Sequence, residues 1–238
     1  MSTFGSLYEG YWWNNRKDHR GRMIHESGDY YEGYHKNDLR HGEGRYLRAD
    51  GTSYEGQWSE NKEHGKGKEM TPDGETYEGE FRHGRRHGIG KLTMKSGVVY
   101  FGDFVDNHRT GTGEITHPNG KIYDGHVNDG IEEGLGTLRL PNGGRYDGQF
   151  FDGEIDGIGV FTWKSGKKYE GHFANGKREG KGIMTWPNGV KYDGEWRKNM
   201  KHGRGTKRLS TGETKLGEWV DDKHVSWIEE NDETTENK

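Results

Sequence analysis

The sequence predicts an all-β protein, an elongated, twisted single-layer antiparallel sheet of stacked 23-residue β-hairpins. Three observations carry that prediction. A tyrosine returns every 23 residues without a slip, at Tyr8, Tyr31, Tyr54, Tyr77, Tyr100, Tyr123, Tyr146, Tyr169 and Tyr192. A glycine follows each by two residues, from Gly10 to Gly194. Only 26% of the chain is hydrophobic, 32% is charged and 42 of its 238 residues are Gly, which leaves no material for a thick core. Composition alone reads as disorder, but a fixed period marks units that stack because none can bury its apolar face by itself. Such an array favours an extended surface over a single catalytic pocket.

Each element follows from the phase. With every tyrosine counted as position 0, positions 0, 2 and 4 read aromatic, Gly, aromatic, as in Tyr54-Glu55-Gly56-Gln57-Trp58. That alternation predicts a strand with one aromatic face and one charged face. Position 7 is Asn, Asp or Gly throughout, which suits the positive φ of a tight hairpin turn. Positions 11 and 13 follow as G-x-G, and 15 and 17 are often apolar, as in Phe161 and Trp163. This is the second strand. Position 20 is Gly, often inside Pro-Asn-Gly, and closes the repeat with turn chemistry.

Nine such repeats cover 8–214, with 1–7 as an N-terminal cap. A degenerate tenth unit at 215–228 has Lys215 in the tyrosine position. Residues 229–238 form an acidic tail expected to be disordered. Residues 217–238 carry eight acids against two lysines, a net of −6, leaving +2 for the rest of a chain whose total is −4. An array so near neutral argues against nucleic-acid binding. The chain has no cysteine, hence no disulfide or thiolate metal site. Neither a secretory leader nor an apolar run of about 18 residues is present, so the expected location is intracellular, in the cytoplasm or cytoskeleton.

Same-face glycines have a structural reading. Rings of neighbouring strands can lie across bare backbone and cover it. At roughly 4.8 Å per strand, nine repeats would make a rod on the order of 85–90 Å long.

These residues resemble the MORN repeat (membrane occupation and recognition nexus), whose pattern is Tyr-Glu-Gly-x-Trp, a turn, x-Gly-x-Gly, then Pro-Asn-Gly. The stretch from Tyr169-Glu170-Gly171 to Trp186-Pro187-Asn188-Gly189 lies close to that pattern. Departures are His19 at a glycine position, Phe101 at the usual acid, and His35 and Val127 at the usual aromatic. The resemblance implies a groove along the aromatic face. It also implies a standalone protein similar to ciliary and cytoskeletal members such as the radial spoke head component, with no room for a fused enzyme.

Several sharper chemistries were weighed. His41, His64, His87 and His202 share position 10, but at about 10 Å per repeat they cannot meet at one zinc with ligands near 2 Å. The acids at position 1 are too far apart for paired-carboxylate catalysis; pairing with Lys and Arg at positions 12 and 14 is expected instead. No G-x-G continues as G-x-G-x-x-G. No catalytic residue, metal or cofactor is expected.

The leading site is the aromatic trough of Tyr31, Tyr54, Trp58, Tyr77, Phe81, Tyr100, Phe104, Tyr123, Tyr146, Phe150, Tyr169, Phe173, Tyr192 and Trp196. There, a one-layer sheet should leave rings open to a helix or extended segment of a protein partner. The alternative site is an anion or lipid patch of Arg197, Lys198, Lys201, Arg204, Lys207 and Arg208, uninterrupted by acid. A peripheral membrane module binding phosphoinositides is the alternative function. Open end strands are liabilities; a homodimer through Trp219 and Trp227 would hide them, or these rings only cap the array.

Overall fold

The computed structural model describes residues 5–229. The first four residues of the expected cap, and Glu230–Lys238 of the expected tail, lie outside them. Among the described residues the fold is all-β and antiparallel, with twenty strands and no helix. The chain divides into two compact units, Met1–Pro118 with Val127–Gly130 and Asn119–His126 with Ile131–Lys238.

Unit 1 holds β1 (Leu7–Trp13), β2 (Arg16–Ile24), β3 (Tyr30–Lys36), β4 (Leu39–Leu47), β5 (Ser53–Ser59), β6 (Lys62–Met70), β7 (Thr76–Arg82), β8 (Arg85–Thr93), β9 (Val99–Val105) and β10 (His108–Thr116). Each pairs with the next in sequence. After β11 (Ile122–Asn128), the strands of unit 2 are β12 (Ile131–Arg139), β13 (Arg145–Phe151), β14 (Glu154–Thr162), β15 (Lys168–Ala174), β16 (Lys177–Thr185), β17 (Lys191–Arg197), β18 (Met200–Arg208), β19 (Thr214–Val220) and β20 (Lys223–Trp227). From β12 onward they also pair in sequence order.

Positions 6 and 7 close every hairpin with two residues at positive φ, as at Asn37 (51°) and Asp38 (72°) or Asp106 (49°) and Asn107 (76°). Two consecutive positive φ values are the mark of a type I′ turn, whose twist matches that of its strands. The longer connection between repeats turns over positions 17–20, where Gly97 N–H, for example, donates to the Met94 carbonyl at 2.8 Å.

The two glycines of G-x-G do different work, which the expectation of a common ring-covered row did not separate. Register jumps within positions 2–4 of the hairpins, as between Gly33 and His35, so Gly33 opposes Gly44 while His35 opposes Arg40. One residue, Tyr34, therefore spans three, and this bulge needs a left-handed residue at position 11: Gly42 has φ +65° and Gly88 +60°. In the first hairpin His19 takes that conformation at φ 56°. The position-13 glycine instead makes room for a ring. A Cβ on Gly90 would overlap the Tyr77 ring, and one on Gly79 would sit 2.6 Å from its hydroxyl.

Candidate partner-binding surface

The fourteen rings assigned to an open trough are all buried. They form the interior of each unit, and the trough expected from the sequence is filled by its own walls. In unit 1 the rings interlock edge-to-face in the order Trp12, Tyr8, His35, Tyr31, Trp58, Tyr54, Phe81, Tyr77, Phe104, Tyr100, with centroids 4.9–5.4 Å apart. Unit 2 repeats the ladder as Tyr123, Phe150, Tyr146, Phe173, Tyr169, Trp196, Tyr192, Trp219 at 4.9–5.3 Å. A position-4 ring thus sits between its own tyrosine and that of the preceding hairpin. Each such pair contributes about 0.5–1.5 kcal/mol beyond its buried area. His35, a departure from the aromatic pattern, still fills its slot as a ring, and Val127 is buried in its own.

Apart from His35 Nδ1, the polar atoms of the ladder rings named below find partners. All nine framework tyrosines donate a hydrogen bond to the carbonyl three residues ahead, from Tyr8 to Tyr11 at 3.0 Å through Tyr192 to Glu195 at 3.2 Å. The indoles of Trp58 and Trp196 donate to the carbonyls of Gly44 and Gly182 at 3.0 and 2.9 Å. Burial pushes the hydroxyls of Tyr77, Tyr100, Tyr123, Tyr146 and Tyr169 up to about 12. Position 9 adds cations over the rings, a role the sequence reading missed. The Arg40 guanidinium lies 4.4 Å from the Trp58 ring and Arg178 lies 4.4 Å from that of Trp196.

The basic run does not converge on one surface. Lys201 lies over the Tyr192 ring at 5.6 Å on the aromatic face, and burial lowers its pKa. Arg204, by strand alternation, faces the other side, opposite Glu218. Lys207 returns to the aromatic side and Arg208 to the outer side. Arg197 is bound to Asp221 at 2.9 Å, and Lys198 occupies a turn position with φ 48°.

Position 10 has a further use that its residue types signalled only faintly. Carboxylates there accept the backbone N–H of the next hairpin's turn: Asp156 from Asn175 at 3.0 Å, Glu179 from Lys198 at 2.8 Å. His202 stands at the same position, 3.5 Å from Asp221. Side chains at position 7 clasp back as well, with Asn61 accepting from Arg40 N–H at 2.8 Å and Asn199 from Arg178 N–H at 2.9 Å.

The face away from the rings is open as well. Its floor is the backbone of the paired glycines, and its walls are positions 1 and 14 on one side and 3 and 12 on the other. Register opposes Glu55 to both Arg45 and Lys68, while Lys66 faces Glu80. Acids at position 1 thus meet position 14, and position 12 meets position 3, which corrects the expectation that both served position 1. In unit 1 this face is a ladder of alternating charge around an open recess of about 700 Å³ lined by Glu43, Glu55, Lys66, Lys68, Glu78, Glu80 and Ile89 over Gly56, Gly67 and Gly79. The position-12 row already holds the exposed Ile89 there, and in unit 2 it is apolar at two successive repeats. Leu135 and Ile158, both at position 12, are 62% and 57% exposed, with Ile183 and Phe151 also exposed.

A family model described as the MORN repeat matches residues 31–53, 54–76, 77–99, 100–122, 123–145, 146–168, 169–191 and 192–214. The chain belongs to the MORN-repeat family. Each match starts on a framework tyrosine, so the MORN unit coincides with one ring-ladder step and its clasped hairpin. The hairpin of β1 and β2, with His19 at the bulge, lies outside the matched MORN spans. No curated protein matches the chain. Among solved structures, the TCP domain of Drosophila melanogaster SAS-4, in complex with a proline-rich motif of Ana2, is 12% identical with a TM-score of 0.44, over 73% of this chain and 88% of that one. The TCP10 domain of Danio rerio CPAP, in complex with a peptide of STIL, is 14% identical with a TM-score of 0.32, over 88% of this chain and 83% of that one. Likeness at this level transfers no partner to the MORN chain.

Proposed function

We propose that this MORN-repeat chain is a non-catalytic scaffold that holds a segment of another protein against the outer face of unit 2. The observation that carries the reading is the exposure of Leu135 and Ile158 at successive repeats of unit 2, on a row that in unit 1 holds Arg20, Glu43 and Lys66 with Ile89 alone apolar. Apolar side chains left in water on a polar sheet face mark an interaction site. Leu135 and Ile158 themselves oppose Gln149 and His172, and acids lie on the neighbouring row, where Val160 opposes Asp147 and Glu170, and Ile183 opposes Glu170 and Asp193. The matching partner is an apolar segment with flanking Lys or Arg. A cytoskeletal setting, in a ciliary axoneme or radial spoke, rests on the family resemblance alone.

The test is a double variant, Leu135→Lys with Ile158→Lys. Both side chains are exposed, so the fold should stand while native partners are lost from co-purification. Retention of every wild-type partner would sink the proposal. The lipid alternative predicts strong liposome co-sedimentation that disappears on charge reversal of Arg204 and Arg208. Separation of the basic run between two faces speaks against it.

A further inference from the structure

The first hairpin ends unit 1 on a strand that is incomplete in a specific way. Trp58, at position 4, is 3% exposed because Tyr31 of the preceding hairpin packs on one side and Tyr54 on the other. Trp12 holds the same position but has only its own Tyr8, at 5.1 Å, and is 54% exposed. Among the described residues, nothing fills the ring slot that a preceding tyrosine would take. Strand β1 pairs with β2 alone, and its other backbone edge is free among the described residues.

That edge also lacks the devices that keep sheet edges from pairing. It is seven residues long, LYEGYWW, with no Lys and no Pro, and its one charge, Glu9, is neutralised by Arg22 at 2.6 Å. By contrast the last strand, β20, is five residues long and carries Lys223. There the final ring, Trp219, is covered from within the chain by Trp227 at 5.9 Å and His224 at 5.5 Å. The C-terminal rings named from the sequence as dimer candidates are thus engaged with one another, and the uncapped end is β1.

The residues of β1 are self-complementary about Gly10. We propose that two copies of this chain join their β1 strands antiparallel, centred on Gly10, so that each Trp12 packs against Tyr8 of the second copy. In that register Gly10 faces Gly10, Glu9 faces Tyr11 and Leu7 faces Trp13. All seven residues are paired, every ring stays on the ring face, and no like charges meet. A slip by one residue sends rings to the wrong face. A slip by two in one direction sets Glu9 against Glu9; in the other it places Trp12 over Gly10 and leaves Tyr8 beyond the strand. The contact is isologous and closed, as a two-fold dimer requires. Tyr11 and Trp13, both exposed, would be covered on the outer side by the same pairing.

Sedimentation velocity on the full chain should show a dimer that dissociates on dilution. The variant Leu7→Lys with Trp13→Lys places lysines opposite lysines and should weaken the dimer by about tenfold or more while leaving the circular dichroism spectrum unchanged. Because the chain has no cysteine, Leu7→Cys with Trp13→Cys supplies an independent reading of register. Oxidation should give a covalent dimer whose peptides map to a 7–13 linkage. A wild-type chain that stays monomeric at every concentration overturns the proposal. So does a dimer that survives the lysine pair, or a map dominated by 7–7 and 13–13 linkages.

Discussion

The hydroxyl of Tyr77 donates a 2.8 Å hydrogen bond to the carbonyl of Glu80, three residues ahead on its own strand. The bond reaches across the register jump between Gly79 and Glu80. One side chain thus fills the space over two glycines, packs against the rings of two hairpins and spans the bulge. Tyr77→Phe should therefore cost about 1–3 kcal/mol through the lost hydrogen bond alone. Tyr77→Ala should cost about 3–5 kcal/mol by opening a cavity. Urea denaturation of both variants checks the ordering, and equal costs would deny the hydroxyl its role.

The two glycines of one G-x-G triplet should respond oppositely to substitution. Gly90→Ala inserts a methyl group into the Tyr77 ring and should destabilise by about 1–3 kcal/mol through overpacking. Gly88 has φ +60° and a Cβ there would meet the Glu80 side chain rather than a ring, so Gly88→Asn, which tolerates the left-handed region, should cost less. Melting temperatures of the two variants decide it; a larger loss at Gly88 would contradict the division of labour.

Alkaline pH should unfold the protein through its tyrosines. Burial raises the hydroxyls of Tyr77, Tyr100, Tyr123, Tyr146 and Tyr169 from 10 to about 12. The fold favours the neutral phenol, so this contribution is whole below pH 10 and is lost as pH rises through 12. Tyrosinate absorbance and β-sheet circular dichroism should change together in that window for the framework tyrosines. Early titration of all thirteen tyrosines without loss of sheet would refute it.

Acid should act through His35. It is buried in a slot that elsewhere holds Phe, Trp or, once, Val127, its Nδ1 has no partner among the described residues, and burial, then Lys17, lower its pKa. A histidine held neutral supports the fold above its unfolded pKa of about 6.5, and that support is lost as pH falls below it. His35→Phe should raise stability at neutral pH by about 0.5–2 kcal/mol and blunt the loss between pH 6.5 and 5. Thermal melts across that range give the comparison, and an unchanged pH profile would remove His35 from the account.

Much of the fold was legible because a β-strand writes its faces into the sequence two residues at a time. The tyrosine phase placed Tyr54, Gly56 and Trp58 on one face, and positions 6 and 7 hold the turn that Asn61 announced. The bulge was not legible. Gly42 and Gly44 look alike in the sequence, and only strand register shows that one bends the backbone while the other admits the Tyr31 ring. The burial of the expected trough was hidden for a related reason. That Tyr31 and Trp58 share a face is a local fact. That each covers the other is a contact between residues 27 apart, and it turns an expected trough into a core.

The sequence by itself determined the repeat, its hairpins, its ring face and its charged face, since all of these follow from side-chain alternation and turn chemistry within 23 residues. The core came only from the tertiary structure: rings of successive hairpins close over one another, while Leu135 and Ile158 stay exposed. Among the described residues that closure is incomplete at Trp12, because a ring slot needs a hairpin on both sides and β1 pairs with β2 alone.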